Sequence, residues 1–340
     1  MRTGLWYDGA MAAGGDASTC FGEILDQIAL ADDLGFDTAW IAERHFTEGG
    51  CPSPQTLVGA IAARTEAIRI GALKTLPLDH PIRVAEDLAV LDLVSNGRIL
   101  LGVTDGDEAR EFGPSRTPFG ERWERFTEAV ELIRLAWTQD PFAYAGRFTR
   151  FPATTPEAAD GPRFRCEPWR ADETVPWRRG GTRPSHLAVF PKPAQIPHPP
   201  LWIGSTHAQA IEFAARHGLP VLAHSAEPLD AVRERFARYR AALRAADGQP
   251  TYAEYPVVRD VFVAESEGEA RGLAEAGGVR GAESALVGNP DEIAAHLRRY
   301  RAEAGMNHIL CRVPYPSLGQ ETLMRMLRLF QAEVWPRVQA

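Results

Sequence analysis

The chain has 340 residues, of which 45% are hydrophobic and 24% are charged, a balance typical of soluble globular proteins. Its apolar runs are too short to span a bilayer and its N-terminus has no secretory signal, so we expect a cytoplasmic protein. The net charge of −8, without a basic stripe, argues against nucleic-acid and membrane-surface binding, which leaves a small molecule as the expected partner.

Apolar runs of β type alternate with longer segments of helical period along the whole chain. The eight predicted strands cover residues 4–7, 38–42, 69–75, 98–104, 201–205, 221–225, 257–264 and 308–313. The main predicted helices cover residues 21–34, 55–64, 83–94, 121–138, 209–217, 229–246, 291–304 and 321–334. This alternation predicts a closed (β/α)8 TIM barrel. Because the eighth strand begins only at residue 308, we expect one domain over residues 1–340.

Residues 139–199 interrupt the pattern between the fourth and fifth strands. This segment contains 11 of the 26 prolines, and proline fixes φ and removes a hydrogen-bond donor, so no regular helix can run through it. We predict an irregular insertion with short hairpins around 148–151 and 187–190. Trp169 and Trp177 would give it the apolar mass of a lid over a pocket, whereas its composition is also typical of a disordered surface insertion.

Three ionisable residues, Glu43, Arg44 and His45, follow the second strand, where a barrel places its active site. Alternation along the strand puts Glu43 and His45 on one face and Arg44 on the other. His45 is the best candidate for a general acid or base, because imidazole titrates near neutral pH. The alternative is a structural Glu–Arg salt bridge beside a histidine that takes no part in chemistry.

The other strand ends carry weaker candidates. Lys74 lies in the third strand, without a neighbouring acid/base pair that would favour a Schiff base. Thr104 and Asp105 end the fourth strand. The turn 204–207 after the fifth strand (Gly-Ser-Thr-His) suits a phosphate group, although Ser and Thr are also common helix caps. No metal-binding motif is present, the four cysteines have no zinc spacing, and the first strand lacks a dinucleotide-binding glycine motif.

Several ordered motifs give the sequence a family resemblance. They are GFDTAW at 35–40, AERHF at 42–46, HPIRVAED at 80–87, LDLVSNGR at 91–98, PPLWIGS at 199–205 and VGNPDE at 287–292. With these motifs the chain resembles the bacterial luciferase-like flavin monooxygenases over nearly its whole length apart from the proline-rich insertion. The resemblance implies a TIM barrel, commonly dimeric, that takes reduced FMN from a separate flavin reductase and uses it with O2 to oxygenate an organic substrate.

The resemblance also implies roles for individual residues. Ala72 and Leu73 fall where the family holds a non-proline cis peptide at a bulged strand end against the flavin ring. Thr104 and Asp105 fall on the flavin contacts of the fourth strand. The phosphate-binding turn corresponds to Gly204, Ser205, Thr206 and His207.

The chain departs from the luciferases proper at three of these positions. Arg44 replaces the histidine tied to their light-emitting reaction, Thr104 replaces a cysteine near the flavin, and Asp105 replaces an arginine that holds the phosphate. Bioluminescence is therefore not expected, and the phosphate contacts would have to come from other residues. The pattern resembles the non-luminous branch of the family.

The leading hypothesis is a monooxygenase that uses reduced FMN and O2 on a small or medium apolar substrate. His45 would hydrogen-bond the oxygenated flavin or transfer a proton, with Arg44 or Glu43 orienting it, and Trp6 and His224 would help to shape the substrate pocket. One alternative is hydride transfer with coenzyme F420 and no O2. Another is a flavin-binding protein without turnover.

Overall fold

The computed structural model describes most of the chain in two compact units. The described residues are 1–8, 16–152, 187–246, 253–279, 284–313 and 318–340, together with the backbone of 164–165 and 178–179. One unit consists of Met1–Thr75, Arg98–Glu111 and Pro200–Ala340, and the other of Leu76–Gly97 and Phe112–Pro199. We describe each unit by itself, and the single domain stays a prediction.

A parallel eight-stranded sheet forms the first unit. Its strands, labelled in chain order, are β1 (Arg2–Tyr7), β2 (Thr38–Ala42), β3 (Arg69–Thr75), β4 (Ile99–Thr104), β5 (Leu201–Ile203), β6 (Pro256–Val263), β7 (Leu286–Gly288) and β8 (His308–Arg312). Their order in the sheet is β7-β6-β8-β1-β2-β3-β4-β5.

The residues around 221–223 join the two sides of this sheet. Val221 bridges Ile203 of β5, and Ala223 bridges Val257 of β6, both in parallel orientation. The pairings therefore close into a ring, with 221–223 in the sixth position. This is the predicted TIM barrel, and the predicted strand 221–225 contributes isolated bridges in place of a continuous ladder. The short β7, which pairs only with the end of β6, was not predicted.

The helices agree with the predicted periodicity in most places. They are α1 (Ala17–Asp33), α2 (Pro54–Arg64), α3 (Pro81–Val94), α4 (Ala109–Ser115), α5 (Arg122–Thr138), α6 (Ala210–His217), α7 (Leu229–Ala245), α8 (Glu267–Ala276), α9 (Pro290–Ala304), α10 (Gln320–Leu329) and α11 (Trp335–Gln339). Of these, α4, α8 and α11 were not predicted, and a π-helix, Phe330–Val334, joins α10 to α11. None of the helices described here combines the length and the apolar character needed to cross a bilayer.

An apolar cluster fills the barrel interior. We call it the interior cluster, and its buried members are Trp6, Trp40, Ala42, Leu100, Trp202, Leu222, Val258 and Leu310, with Leu73 packed against them. The indole of Trp40 stacks on those of Trp6 and Trp202 at centroid distances of 6.1 and 4.3 Å. A Cβ at Gly71 would lie 2.2 Å from the Trp40 ring, so only glycine admits this indole. The barrel is thus a packed core whose chemistry is confined to its rim.

The second unit packs α3 and α5 together with the described parts of the insertion. Asp92 of α3 accepts a hydrogen bond from the Gln195 backbone N–H at 2.9 Å, and Lys192 donates to the Ala136 carbonyl at 2.8 Å. Tyr144–Ala145 pairs with Arg150–Phe151 at the site of the first predicted hairpin.

The second hairpin was predicted around 187–190. Leu187 bridges Phe142, so among the described residues this segment pairs with the start of the insertion. The lid hypothesis rests on Trp169 and Trp177, which lie outside the described residues.

Candidate functional site

The three ionisable residues after β2 separate onto two sides, as alternation predicts. Trp40 and Ala42 belong to the interior cluster, so the next inward position in the chain is that of Arg44. Glu43 and His45 lie together on the other side, where His45 Nε2 is 3.2 Å from Glu43 Oε1. The end of β2 thus carries an inward arginine and a separate carboxylate–imidazole pair.

A buried ion pair anchors this carboxylate, and Glu43, Lys74 and His45 are together called the Glu43 cluster. The side chains of Glu43 and Lys74 are 2% and 3% exposed, and Lys74 Nζ donates to Glu43 Oε1. The other oxygen, Oε2, accepts from the Thr75 backbone N–H at 2.6 Å. The strand register explains the contact, since Ala42 of β2 is paired with Leu73 of β3 and the next residues are neighbours. Lys74 is therefore held by an acid, an arrangement that the sequence analysis missed.

His45 is the member of the Glu43 cluster nearest to solvent, with a side chain that is 22% exposed. Its backbone N–H donates to Glu111 at 2.9 Å, which fixes the chain after the strand. Its Nε2 atom is buried in ion-pair contact with Glu43, and no described group makes a well-formed hydrogen bond to it. The contact with the Glu43 carboxylate raises the pKa of His45, against the opposing effect of burial.

These contacts determine which of the predicted catalytic residues could contact a ligand. Glu43 is enclosed by its partners, so it can act only by positioning and charging His45. His45 can both contact a ligand and hold a proton. Arg44 lies 3.5 Å from Asp107, and both side chains are more than one third exposed, which makes this a weak surface pair.

The hydrogen-bond donors of the predicted phosphate turn are bonded to other groups of the protein. Ser205, which is 1% exposed, donates its hydroxyl to the buried Asp105 carboxylate at 2.6 Å. The same hydroxyl accepts from the His207 backbone N–H at 3.0 Å, and His207 Nδ1 accepts from the Gln209 N–H at 3.3 Å. Thr104, the other predicted contact here, caps the neighbouring loop by accepting from the Gly106 N–H at 3.2 Å.

This geometry does not fit the phosphate role predicted for Ser205. A buried carboxylate at 2.6 Å from the serine hydroxyl would repel a phosphate dianion, and two backbone donors of the turn are already occupied. At Gly204 there is no room for a ligand atom next to Cα, because the Leu73 side chain would lie 2.9 Å from a Cβ built there. Of the four predicted turn residues, the exposed Thr206 and the half-buried His207 keep side chains that a ligand could reach.

The cis peptide expected between Ala72 and Leu73 is a wrong prediction. Among the described residues, cis peptide bonds occur only before proline. Ala72 and Leu73 pair in unbroken register with both β2 and β4, and this double ladder requires an extended trans backbone. Ala72 is fully buried, and Leu73 packs on the interior cluster, so neither faces a ligand directly.

His224 and Trp6 stand at the same rim. Trp6 is 5% exposed, belongs to the interior cluster and lies one residue before the end of β1. The backbone of His224 is fixed from both sides: its N–H donates to Glu227 at 2.7 Å, and its carbonyl accepts from Arg259 at 2.9 Å. The Gly204 backbone interacts with the imidazole, and the buried ring atom Nε2 makes no well-formed hydrogen bond to a described group. Burial lowers the pKa of His224, which keeps the imidazole neutral near pH 7.

Sequence reasoning missed three further charged residues at this rim, namely Asp8, Asp260 and Arg312. Arg312 Nε lies 2.6 Å from Asp260 Oδ1 and its Nη1 lies 3.1 Å from Asp8 Oδ2. The available signal was a charged residue within an apolar strand, as in the runs VVRDVFV and HILCR. In a strand buried on both faces, a charge is retained only where it is paired or used.

Comparison with known proteins agrees with this architecture. A family model described as luciferase-like monooxygenase matches residues 1–280. The solved structure of monooxygenase RslO1 from Streptomyces bottropensis superposes with a TM-score of 0.82, at 29% identity over 99% of both chains. The FMN complex of the oxygenating constituent of 3,6-diketocamphane monooxygenase from Pseudomonas putida superposes with a TM-score of 0.79, at 20% identity over 99% of this chain and 98% of that one.

Curated relatives carry two different cofactor names. The oxygenase component of a flavin-dependent trigonelline monooxygenase from Acinetobacter baylyi is 25% identical over 74% of this chain and 61% of its own length. An F420-dependent glucose-6-phosphate dehydrogenase from Amycolatopsis mediterranei is 32% identical over 37% of this chain and 40% of its own. The match to the uncharacterized protein y4vJ of Sinorhizobium fredii spans 46% of that protein. Because the family model covers far more than half of the sequence, the chain belongs to the luciferase-like monooxygenase family.

Proposed function

We propose that this protein is the oxygenase component of a two-component system that uses reduced FMN and O2 to oxygenate a small or medium organic substrate. The observation that carries the proposal is the buried Nε2 atom of His224 at the barrel rim, which makes no well-formed hydrogen bond to a described group; His45, held by Glu43 through its own Nε2, lies partly exposed at the end of β2. A buried polar atom of this kind is destabilising unless a ligand or water supplies its partner. The polar edge of a flavin ring is such a partner.

The rim fits the flavin ring better than its phosphate. His224, two positions after Leu222 of the interior cluster, would hold polar atoms of the ring or of the substrate above that cluster, and His45 would act from the end of β2. Ser205 does not fit the phosphate because it is bonded to the Asp105 carboxylate, so the phosphate contacts proposed at this turn are the side chains of Thr206 and His207. When bound, reduced flavin supplies the electrons with which O2 is activated.

The proposed chemical role of His45 and its partners is to supply one proton. Below its raised pKa, His45 is an imidazolium whose Nε2 faces the Glu43 carboxylate, so Nδ1 is the ring nitrogen whose proton a ligand would receive. Lys74 and the Thr75 backbone N–H hold that carboxylate in place. His45 can therefore donate a hydrogen bond, or its proton, to a reacting oxygen. The interior cluster excludes water from beneath the site.

The cofactor is tested by anaerobic titration of the purified protein with reduced FMN and, separately, with reduced F420, followed by absorbance. The proposal expects saturable binding of reduced FMN and O2 consumption when air and substrate are admitted. Tight binding of F420 without affinity for FMN would replace the proposal with hydride transfer, which the F420-dependent relative makes the second candidate.

The role of His45 has its own test. We expect His45→Ala to retain FMN binding and to lose most substrate-dependent O2 consumption, because the imidazolium that would donate the proton is removed. Unchanged consumption would remove His45 from catalysis. Binding of FMN by the wild-type chain without any turnover across a substrate panel would favour the non-catalytic flavin-binding alternative. A transient flavin reductase and a homodimer complete the proposal, and sedimentation analysis tests the dimer.

A further inference from the structure

A buried arginine lies behind the turn that carries His224. Arg259 belongs to β6, and its side chain is completely buried. Because Val258 before it belongs to the interior cluster, alternation turns Arg259 away from the barrel axis and toward the surrounding helices. There its Nε donates to the hydroxyl of Tyr300 on α9 at 2.9 Å, and its Cζ lies 4.9 Å from the centroid of the same ring. Arg259 therefore approaches the rim from the helix side of the sheet.

The two Nη atoms of Arg259 hold the first and last residues of that turn. Nη1 donates to the His224 carbonyl at 2.9 Å, and Nη2 donates to the Glu227 carbonyl at 2.6 Å. The Glu227 N–H closes the turn by donating to the His224 carbonyl at 3.1 Å. Since a guanidinium is planar and rigid, this one arginine fixes the spacing and direction of both carbonyls.

The carboxylate of Glu227 holds the N–H group of His224. Its Oε1 accepts from that N–H at 2.7 Å, and its Oε2 accepts from Arg235 Nε on α7 at 2.7 Å. The side chains of Arg235 and Glu227 are 16% and 19% exposed, so the ion pair is largely shielded from solvent. We call Glu227, Arg235, Arg259 and Tyr300 the His224 clamp. The clamp bonds both the N–H and the carbonyl of His224.

The His224 clamp binds the backbone of this residue, and the imidazole points the other way. His224 stands two positions after Leu222 of the interior cluster, so its side chain faces the barrel mouth. Its buried Nε2 makes no well-formed hydrogen bond to a described group. Because the backbone sets the direction of the Cα–Cβ bond and the side chain then has few rotamers, the clamp determines where Nε2 can stand.

A second arginine of the barrel uses the same chemistry far from the rim. Arg98, which immediately precedes β4, donates from its Nη atoms to the carbonyls of Ala62, Thr65 and Ile68 at 2.9 to 3.0 Å. It lies at the amino ends of the strands, which in a barrel serve stability and not chemistry. Arg98 is thus a matched control for the removal of an arginine that binds backbone carbonyls.

We propose that Arg259 is a positioning residue that acts through the turn 224–227 to place the His224 imidazole at the barrel mouth. A buried guanidinium costs desolvation free energy that an apolar side chain of similar volume does not, so its rigid fork is the property that this position uses. The proposal rests on the proposed function only in taking His224 as a contact of the flavin ring.

The assignment can be tested without cofactor or substrate. NMR of the full chain with isotope-labelled histidine gives a Cε1–Hε1 signal for each imidazole, and the His224 signal is assigned by its loss in His224→Gln. We expect Arg259→Met to shift the His224 signal and to leave that of the exposed His296 in place. Arg98→Met should leave the His224 signal in place even where it lowers the melting temperature. An unmoved His224 signal in Arg259→Met, or an equal shift in Arg98→Met, would overturn the assignment.

Arg259→Lys separates the shape of the guanidinium from its charge, and it carries the test where Arg259→Met does not fold. One ammonium keeps the charge but cannot present two rigid donors to the carbonyls of His224 and Glu227. The His224 signal should therefore also move in Arg259→Lys. A wild-type signal in this variant would show that charge alone suffices, which contradicts the assignment.

A double-mutant cycle shows whether Arg259 acts through His224. With reduced FMN as the probe in the absence of O2, we expect Arg259→Lys to weaken binding about tenfold, as the loss of one buried hydrogen bond would. The double variant Arg259→Lys/His224→Gln should bind no more weakly than His224→Gln alone, because the positioned contact is already gone. Unchanged FMN affinity in Arg259→Lys, or additive losses in the double variant, would remove Arg259 as a positioning residue.

This proposal and the proposed function fail in different ways. Absence of FMN binding by the wild-type chain would reject the proposed function, and the NMR comparison would still decide whether Arg259 positions His224. FMN binding by the wild type together with an unmoved His224 signal in both Arg259 variants would reject the positioning role and leave the proposed function intact.

Discussion

Two charged clusters at the barrel rim are built in opposite ways. One is the Glu43 cluster, and the other consists of Asp8, Asp260 and Arg312, which we call the Arg312 triad. In the Glu43 cluster one carboxylate faces one ammonium and both are almost completely buried. In the Arg312 triad two carboxylates face one guanidinium, and two of the three side chains remain about one quarter exposed. A closed pair can only position a neighbour, here His45. The partly exposed side chains of Asp8 and Arg312 can still be reached by solvent or a ligand.

The largest expected effect breaks the closed cluster. Lys74→Met should leave the buried Glu43 carboxylate without its counter-ion, and we expect a loss of about 3–5 kcal/mol in the free energy of unfolding. Urea denaturation measures it. The control is Arg83→Met, which removes a cation 66% exposed and should change stability by less than about 1 kcal/mol. Similar small losses in both variants would mean that the Glu43 cluster is not a closed pair.

A second change tests what the closed cluster does to His45. In Glu43→Gln the negative charge is gone, so the pKa of His45 should fall from its raised value, as followed by NMR titration of the imidazole. The sign follows from linkage. In the wild type the His45 pairing stabilises the fold fully below the unfolded pKa of about 6.5 and is lost as pH rises through the raised folded pKa. An unshifted titration in Glu43→Gln would contradict this dependence.

A third change tests the more exposed Arg312 triad. Asp8→Asn removes a partly exposed charge, and Arg312 keeps its bidentate contact with Asp260. We expect a stability loss of no more than about 1 kcal/mol in urea denaturation. A loss as large as that of Lys74→Met would indicate that the Arg312 triad is a structural clamp like the Glu43 cluster.

The smallest expected effect concerns the surface pair of Arg44 and Asp107. Arg44→Ala should change the free energy of unfolding by less than about 0.5 kcal/mol, because the 3.5 Å contact is exposed at both ends. Urea denaturation beside the wild type measures this. A larger loss would show that Arg44 belongs to the structural part of the rim.

Much of the fold was accessible from sequence because period and turn chemistry are local. The alternation of strands and helices predicted the barrel, and the apolar run at 221–225 was correctly assigned to its sixth position. The strand β7 was missed because three residues are too few to show alternation. For the insertion at 139–199 the only usable signal was its amino-acid composition, and composition does not specify which segments pair.

The site was predictable where it depended on one strand and not where it depended on register between strands. Alternation correctly separated Arg44 from Glu43 and His45. The partner of Glu43 is Lys74 on the neighbouring strand, which becomes visible only once β2 and β3 are aligned. The Arg312 triad likewise joins residues up to 304 positions apart. The predicted cis peptide was wrong because a family resemblance does not show how Ala72 and Leu73 pair with the neighbouring strands of this chain.

The most direct test of the central claim, that His45 held by Glu43 supplies the proton for oxygen chemistry, is stopped-flow mixing of the reduced-FMN-loaded protein with O2. The wild type is compared with His45→Asn and with His296→Asn, a change at an exposed histidine on α9. We predict that His45→Asn slows the proton-dependent phase about 100-fold and that His296→Asn leaves it unchanged, as expected for loss of a general acid. Identical traces for His45→Asn and the wild type would contradict the account.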